Sequence, residues 1–164
     1  MTTVYGRKGV DGKEIAYELL RDGAELAWGW AELPTMARSE RGKPWFPDCP
    51  GRWFSLSHSG GYALCALSDD GPVGVDIELI RPRRESLKEH VLSLAERERF
   101  DGSWEEFYRV WTLKESWCKR EDIPLYPPRR LETPPPCPHK SYGGEGWKAG
   151  VCGSGEVPEY IIGI

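Results

Sequence analysis

The chain has 164 residues, a length that suits one domain or two small lobes. Its formal net charge is -4 with acidic and basic residues interspersed, which argues against a generic nucleic-acid binder and its basic excess. No apolar run reaches the roughly 20 residues of a membrane helix, and Met1 to Lys8 lacks the apolar core of a signal peptide, so a cytoplasmic protein with no membrane partner is expected. The five cysteines (Cys49, Cys65, Cys118, Cys137, Cys152) are odd in number, far apart and without a Cys-x-x-Cys pair. They read as reduced thiols, not as a disulfide frame or a zinc site.

The spacing of Ile15, Leu19, Leu20, Ala24, Ala27 and Trp28 predicts a helix over 12–33, ended by Pro34. Residues 34–51 are punctuated by proline and glycine and read as loop. Within them Arg41-Gly42-Lys43-Pro44 sets cations beside a glycine and a stiffening proline, as an anion contact or as a plain turn. Two strands follow, 53–57 and 62–67, the second apolar nearly throughout, as in a buried strand. The link Ser57-His58-Ser59-Gly60-Gly61 supports two readings. Its small residues let backbone amides approach an oxyanion, or it is a hairpin turn with a satisfied histidine.

After the turn Asp69-Asp70-Gly71-Pro72 comes Gly74-Val75-Asp76-Ile77-Glu78, apolar but for two carboxylates. In an extended segment Asp76 and Glu78 share one face. Two close carboxylates raise each other's pKa unless a cation sits between them, and a hard divalent ion would resolve the conflict. A polar strand edge facing water is the plainer alternative.

Helical signals dominate next. Ser86 with Glu89, Ser93 with Glu96 and Ser103 with Glu106 each have capping-box spacing. The third opens the clearest helix, 104–121, with Trp104, Phe107, Tyr108, Trp111 and Cys118 on its inward stripe. Glu115, four residues after Trp111, falls on that stripe and needs a partner. Lys119, one turn on, is the plain one; a metal shared with the strand carboxylates is the other. Beyond Ile123 the chain is Pro-rich and irregular, with closing strands expected at 147–152 and 160–164.

Taken in order, Gly42-Lys43-Pro44, Phe54-Ser55-Leu56-Ser57-His58-Ser59-Gly60, Gly74-Val75-Asp76-Ile77-Glu78 and Trp111-Thr112-Leu113-Lys114-Glu115-Ser116-Trp117-Cys118-Lys119 resemble the 4′-phosphopantetheinyl transferase superfamily, in its broad-specificity surfactin-type branch. The resemblance covers about residues 42–119. It implies an α+β fold, a pseudo-dimer of two similar lobes with coenzyme A in the cleft between them, here 1–78 and 79–164. It implies transfer of the phosphopantetheine arm of coenzyme A to a serine of an apo acyl or peptidyl carrier protein, with release of adenosine 3′,5′-bisphosphate. Such an enzyme, a holo-[carrier-protein] synthase, needs no oligomer to build its cleft, so a monomer is expected.

By motif position Asp76, Glu78 and Glu115 resemble the magnesium ligands, and Lys43, Ser57 and His58 the coenzyme A contacts. Lys114 and Lys119 resemble the phosphate-contacting lysines, with Lys119 and Glu115 closest to the chemistry. Glu96 falls where the family often has a glutamate proposed as general base, a position its capping box also explains. Members of this branch usually carry more chain, including a basic segment, before the Gly-Lys-Pro motif; Arg7, Lys8 and Lys13 are candidate substitutes here. A trimmed relative that binds coenzyme A or a carrier protein without transfer is the alternative. Arg81, Arg83 and Arg84 would meet an acidic carrier surface, or form a solvated linker.

Overall fold

The computed structural model describes residues 1–164. Its first element is a strand for which the sequence reading makes no provision. β1 (Thr2–Lys8) alternates buried and half-buried residues up to Arg7, the pattern of a strand with one face on a core. Helix α1 (Gly12–Trp28) follows, capped by Asp11, whose carboxylate accepts from the amides of Lys13 and Glu14. It stops well before Pro34, because Gly29 takes a left-handed φ of 69° and closes the last turn. Two short strands, β2 (Ala37–Arg38) and β3 (Pro44–Trp45), pair with each other. β4 (Trp53–Ser59) and β5 (Tyr62–Ser68) then complete a sheet of order β1-β5-β4. The apolar run of β5 lies in its centre, where both faces are covered. On one face Ala63, Cys65 and Leu67 meet Ile15, Leu19 and Leu20 of α1.

β6 (Gly74–Leu79) opens the second sheet. It pairs with β8 (Trp147–Cys152), which pairs in turn with β7 (His139–Gly144), giving the order β6-β8-β7. The change of sheet therefore precedes Gly74. A division after Glu78 would separate β6 from β8, its backbone partner more than sixty residues on, a pairing with no local signal. Each sheet has its first strand on one edge, its last strand in the centre and its middle strand on the other edge. The two sheets share one core, in which Val4, Leu64 and Ala66 pack against Val75, Ile77, Ala149 and Val151. The layers run helix, sheet, sheet, helix.

The second covering helix is α4 (Trp104–Glu121), capped by Ser103 as its sequence predicts. Its backbone rides directly on the strands. A Cβ added at Gly74 would stand 1.9 Å from the Ser116 carbonyl oxygen, and one at Gly150 would stand 2.6 Å from that of Thr112. Before it come two short helices, α2 (Ser86–Val91) and α3 (Leu94–Arg99). Ser93 and Glu96 form a reciprocal capping box on α3, whereas Ser86 lies inside α2 and caps nothing. The Pro-rich stretch contains one short 3-10 turn, Pro128–Arg130. The 160–164 segment forms not a strand but a single bridge between Tyr5 and Ile162, in which the Gly6 amide donates to the Ile162 carbonyl and the Ile162 amide to that of Val4, closing the outer edge of β1. All five cysteines are free thiols, and no helix is long and apolar enough to cross a membrane.

The outer edge of β6 has no strand beside it, and an edge leaves donors and acceptors to be satisfied. Side chains take them. The amides of Val75, Ile77 and Leu79 donate to the hydroxyls of Ser55, Ser57 and Ser59 on β4, at 3.1, 3.2 and 3.4 Å. The carbonyls of Val73 and Val75 accept from the ammonium groups of Lys43 and Lys119, at 3.4 and 3.1 Å. Period two on β4 matches period two on β6, so a row of serines replaces a row of backbone groups.

Two substitutions test this frame. Ser55→Ala strands the Val75 amide in the interior and is expected to cost about 1–3 kcal/mol in urea denaturation; a loss within error would deny the serine row its role. Gly74→Ala forces α4 off β6 and is expected to cost about 3 kcal/mol, visible as a lowered denaturation midpoint with unchanged slope.

Candidate functional site

Asp76 and Glu78 stand at alternate positions of β6 on the face that α4 covers, Asp76 buried and Glu78 half-buried. Each is held by the serine row. Ser57 accepts from the Ile77 amide and donates to Asp76 Oδ1 at 2.9 Å. Ser59 accepts from the Leu79 amide and donates to Glu78 Oε2 at 3.0 Å. Lys119, near the end of α4, adds a 2.8 Å ion pair to Asp76 Oδ1.

Glu115 lies one turn before Lys119, yet the helix pair expected between them is not made: the Lys119 ammonium is spent on Asp76 and the Val75 carbonyl. Burial pushes the Glu115 carboxyl up to about 7, and the charges of Asp76 and Glu78 add to the rise against Lys119. Glu78 is raised as well, by burial and then by Asp76, with Ser59, Lys119 and Arg81 opposing. The three carboxylates thus share one electrostatic environment in which Lys119 is the nearest cation.

As the side chains stand, no group of three or more His, Cys, Asp or Glu is arranged to hold a metal ion. The donor set nevertheless fits a hard divalent cation. Asp76 Oδ2 is buried and has no hydrogen-bond partner, which leaves an anionic oxygen with a free lone pair beside two more carboxylates. Oxygen ligands of this kind suit magnesium, which takes one or two carboxylates and fills its remaining positions with water and phosphate.

Lys43 reaches the same region from the Gly-Lys-Pro loop, but its ammonium caps α4. It donates to the carbonyls of Lys119 and Arg120 and to that of Val73, where a helix C-terminus favours a cation. Burial lowers its pKa to about 8, against the pull of Asp122. Ser57 is buried, and its one proton goes to Asp76. His58 is exposed and lies on the other face of β4, beside Gly12 at the start of α1. Residues expected together as coenzyme A contacts are therefore split across two faces of one strand.

Lys114 and Glu96 lie elsewhere. Lys114 is fully buried, and its three protons go to the Val91 carbonyl (2.6 Å), Glu96 Oε2 (2.7 Å) and the Pro128 carbonyl (3.2 Å). Glu96 also accepts from the Ser93 amide and from the amide and hydroxyl of Thr133. Burial works against its ionisation, but these donors outweigh burial and hold its carboxyl below the ordinary value. Lys114, expected at a phosphate, and Glu96, expected as a base, thus pair with each other inside the protein and tie α3 and α4 to the Pro-rich stretch. Lys114 sits two turns after Phe107, on the most buried side of α4. The sequence reading follows the aromatic stripe and misses that side. Ser59 and Thr133 are also missed; Ser59 was legible as the next member of the Ser55, Ser57 alternation.

Beside Glu115 and Lys119 the surface is concave. A cleft of about 310 Å³ is lined by Gly42, Lys43, Pro44, Ser55, Glu115 and Lys119. A neighbouring hollow of about 450 Å³ is lined by Trp45, Phe46, Trp53, Arg52 and Arg120 and shares Lys43 and Pro44 with the first. The two hollows set Lys43, Lys119, Arg52 and Arg120 beside an apolar wall, with Glu115, Glu121 and Asp122 among them.

Comparison with known proteins agrees with this chemistry. Residues 72–132, which include Asp76, Glu78, Glu115 and Lys119, match the ACPS family, described as the 4′-phosphopantetheinyl transferase superfamily. The chain is 44% identical over 102 residues to the 4′-phosphopantetheinyl transferase AcpT of Salmonella typhi, covering 58% of this chain and 53% of that one. It is 45% identical over 105 residues to AcpT of Escherichia coli, covering 59% and 53%. It is 32% identical over 145 residues to the 4′-phosphopantetheinyl transferase Sfp of Bacillus subtilis, covering 74% and 64%. The chain spans about half the length of the first of these relatives. Residues 72–132, with the carboxylates they carry, belong to the 4′-phosphopantetheinyl transferase superfamily.

Proposed function

We propose that the chain is a magnesium-dependent transferase of the surfactin-type branch, moving the phosphopantetheine arm of coenzyme A onto a serine hydroxyl of an apo acyl or peptidyl carrier protein. The observation that carries this reading is the buried, unpartnered Oδ2 of Asp76, whose charge, with that of Glu78, is felt by Glu115. Asp76, Glu78 and Glu115 would hold the ion. Magnesium supplies charge neutralisation on the pyrophosphate and on the departing bisphosphate. Ser57 and Ser59 fix the two strand carboxylates, as outer partners of metal ligands do. Lys119 is placed to trade Asp76 for a phosphate oxygen as negative charge arrives. His58 and the Lys43 loop flank the path of coenzyme A. The common strand order of the two sheets supports a pseudo-dimer of two lobes within one chain; we propose that it acts in the cytoplasm as a monomer.

One observation favours the alternative of binding without transfer. The Lys43 ammonium is committed to protein carbonyls instead of to the cleft. The intact mass of apo carrier proteins, incubated with the chain, coenzyme A and magnesium, separates the two. Transfer adds one phosphopantetheine unit. That gain disappears with a chelator and falls about 100-fold or more in Glu115→Ala, while Ser57→Ala weakens magnesium about tenfold. Saturable coenzyme A binding with no mass gain on any carrier would establish the alternative.

The shifted Glu115 carboxyl gives a second test. Its folded-state pKa of about 7 lies above its unfolded value, which is about 4.3. Ionising it therefore costs the folded protein stability. The cost is absent below the unfolded value, grows as pH rises between the two and is complete above about 7. Glu115→Gln is expected to stabilise the metal-free protein at pH 8 by roughly 2 kcal/mol and to leave it unchanged near pH 4, read from thermal melts at both values.

A further inference from the structure

Besides Asp76 Oδ2, one other buried polar side-chain atom has no partner, the hydroxyl of Ser141 on β7. Ser141 stands opposite Gly150 across the β7–β8 ladder, so the two share one face of the sheet. That face is covered by α4, since a Cβ at Gly150 would meet the Thr112 carbonyl. The hydroxyl is thus aimed into the gap between β7 and α4. A polar cavity of about 420 Å³ fills that gap, lined by Arg99, Arg109, Thr133, His139, Lys140 and Ser141, with no carboxylate in its wall.

The wall has more donors than acceptors. Arg99, at the end of α3, uses only Nη2, on the Thr133 carbonyl at 3.3 Å. Arg109 of α4 forks onto Glu106 through Nε (2.7 Å) and Nη2 (2.6 Å), which leaves Nη1 without a protein partner. Lys140 pairs only with Glu159, whose side chain is 84% exposed. The Thr133 hydroxyl has given its proton to Glu96. Water can satisfy Ser141 and the solvent-facing guanidinium groups (Arg99 is exposed and Arg109 40% exposed), but a single anion would engage donors from two different helices and the hydroxyl together.

We infer that this cavity binds a small oxyanion of the phosphate or sulfate class, held by Arg99, Arg109 and the Ser141 hydroxyl through charge-assisted hydrogen bonds. The site is distinct from the carboxylate cleft. Arg109 and Lys119 are ten residues apart on α4, about 15 Å along its axis, and the inference does not rest on the transferase reading. An anion here would join α3, α4 and β7.

The test is a titration of the full chain with inorganic phosphate at fixed ionic strength, followed by amide NMR shifts, with chloride as the control. Saturable shifts at Arg99, Thr133 and Ser141 are expected. Ser141→Ala and Arg99→Gln should each weaken them about tenfold, and Lys119→Ala should leave them in place. Ser141→Ala removes no hydrogen bond within the protein, and an unchanged thermal melt of the variant checks that its fold is intact. Shifts that chloride reproduces, shifts confined to the surroundings of Lys119, or Ser141→Ala binding as tightly as the parent would each overturn the assignment.

Discussion

The outer edge of β6 has no neighbouring strand, yet its amides and carbonyls are paired, by serine hydroxyls from one side and lysine ammonium groups from above. A backbone ladder at this seam would have merged the two sheets into one and buried the edge. Side chains are longer than a backbone contact and leave room beside the strand. Asp76 and Glu78 stand in that room. The same hydroxyls that accept from the strand also donate to its carboxylates, so the seam between the sheets and the positions of the acidic groups are one network. A change in either is felt by the other.

The network carries an unresolved charge. Ser57, Ser59 and Lys119 compensate part of what three carboxylates bring, and Glu115 responds by holding its proton to about pH 7. Burying charge without full pairing is unfavourable in a structure kept only for stability. Here rigid elements enforce it. Gly74 and Gly150 let α4 sit against the strand backbones, which leaves Glu115 and Lys119 little freedom to withdraw. Positions that are strained without a ligand and relieved by one are characteristic of binding sites.

What the residues disclosed in advance depended on how local the cause was. The α4 boundaries follow from Ser103 and from helical periodicity, and Asp76 and Glu78 follow from strand periodicity, so these were legible. β1 was legible in principle, since Thr2, Val4 and Gly6 alternate with half-buried neighbours. β7 was not: His139 to Gly144 is polar and only partly buried, an edge strand defined by the partner it finds. The membership of β6 was equally hidden, because pairing with β8 is a property of the whole chain. The burial of Lys114 was hidden for another reason. Its spacing from Phe107 and Val110 points inward, but a lysine is read as an outward residue unless its acceptors are known, and three of them come from α2, α3 and the Pro-rich stretch.

The two sheets have the same strand order, which makes β1 the counterpart of β6. A doubled frame would be expected to offer two equivalent seams and two sites. It does not, because the outer edge of β1 is closed by backbone hydrogen bonds between Gly6, Val4 and Ile162. A backbone segment fills the space that serines and carboxylates hold open at β6. Through Ile162 the carboxylate seam at β6 is left without a counterpart at β1.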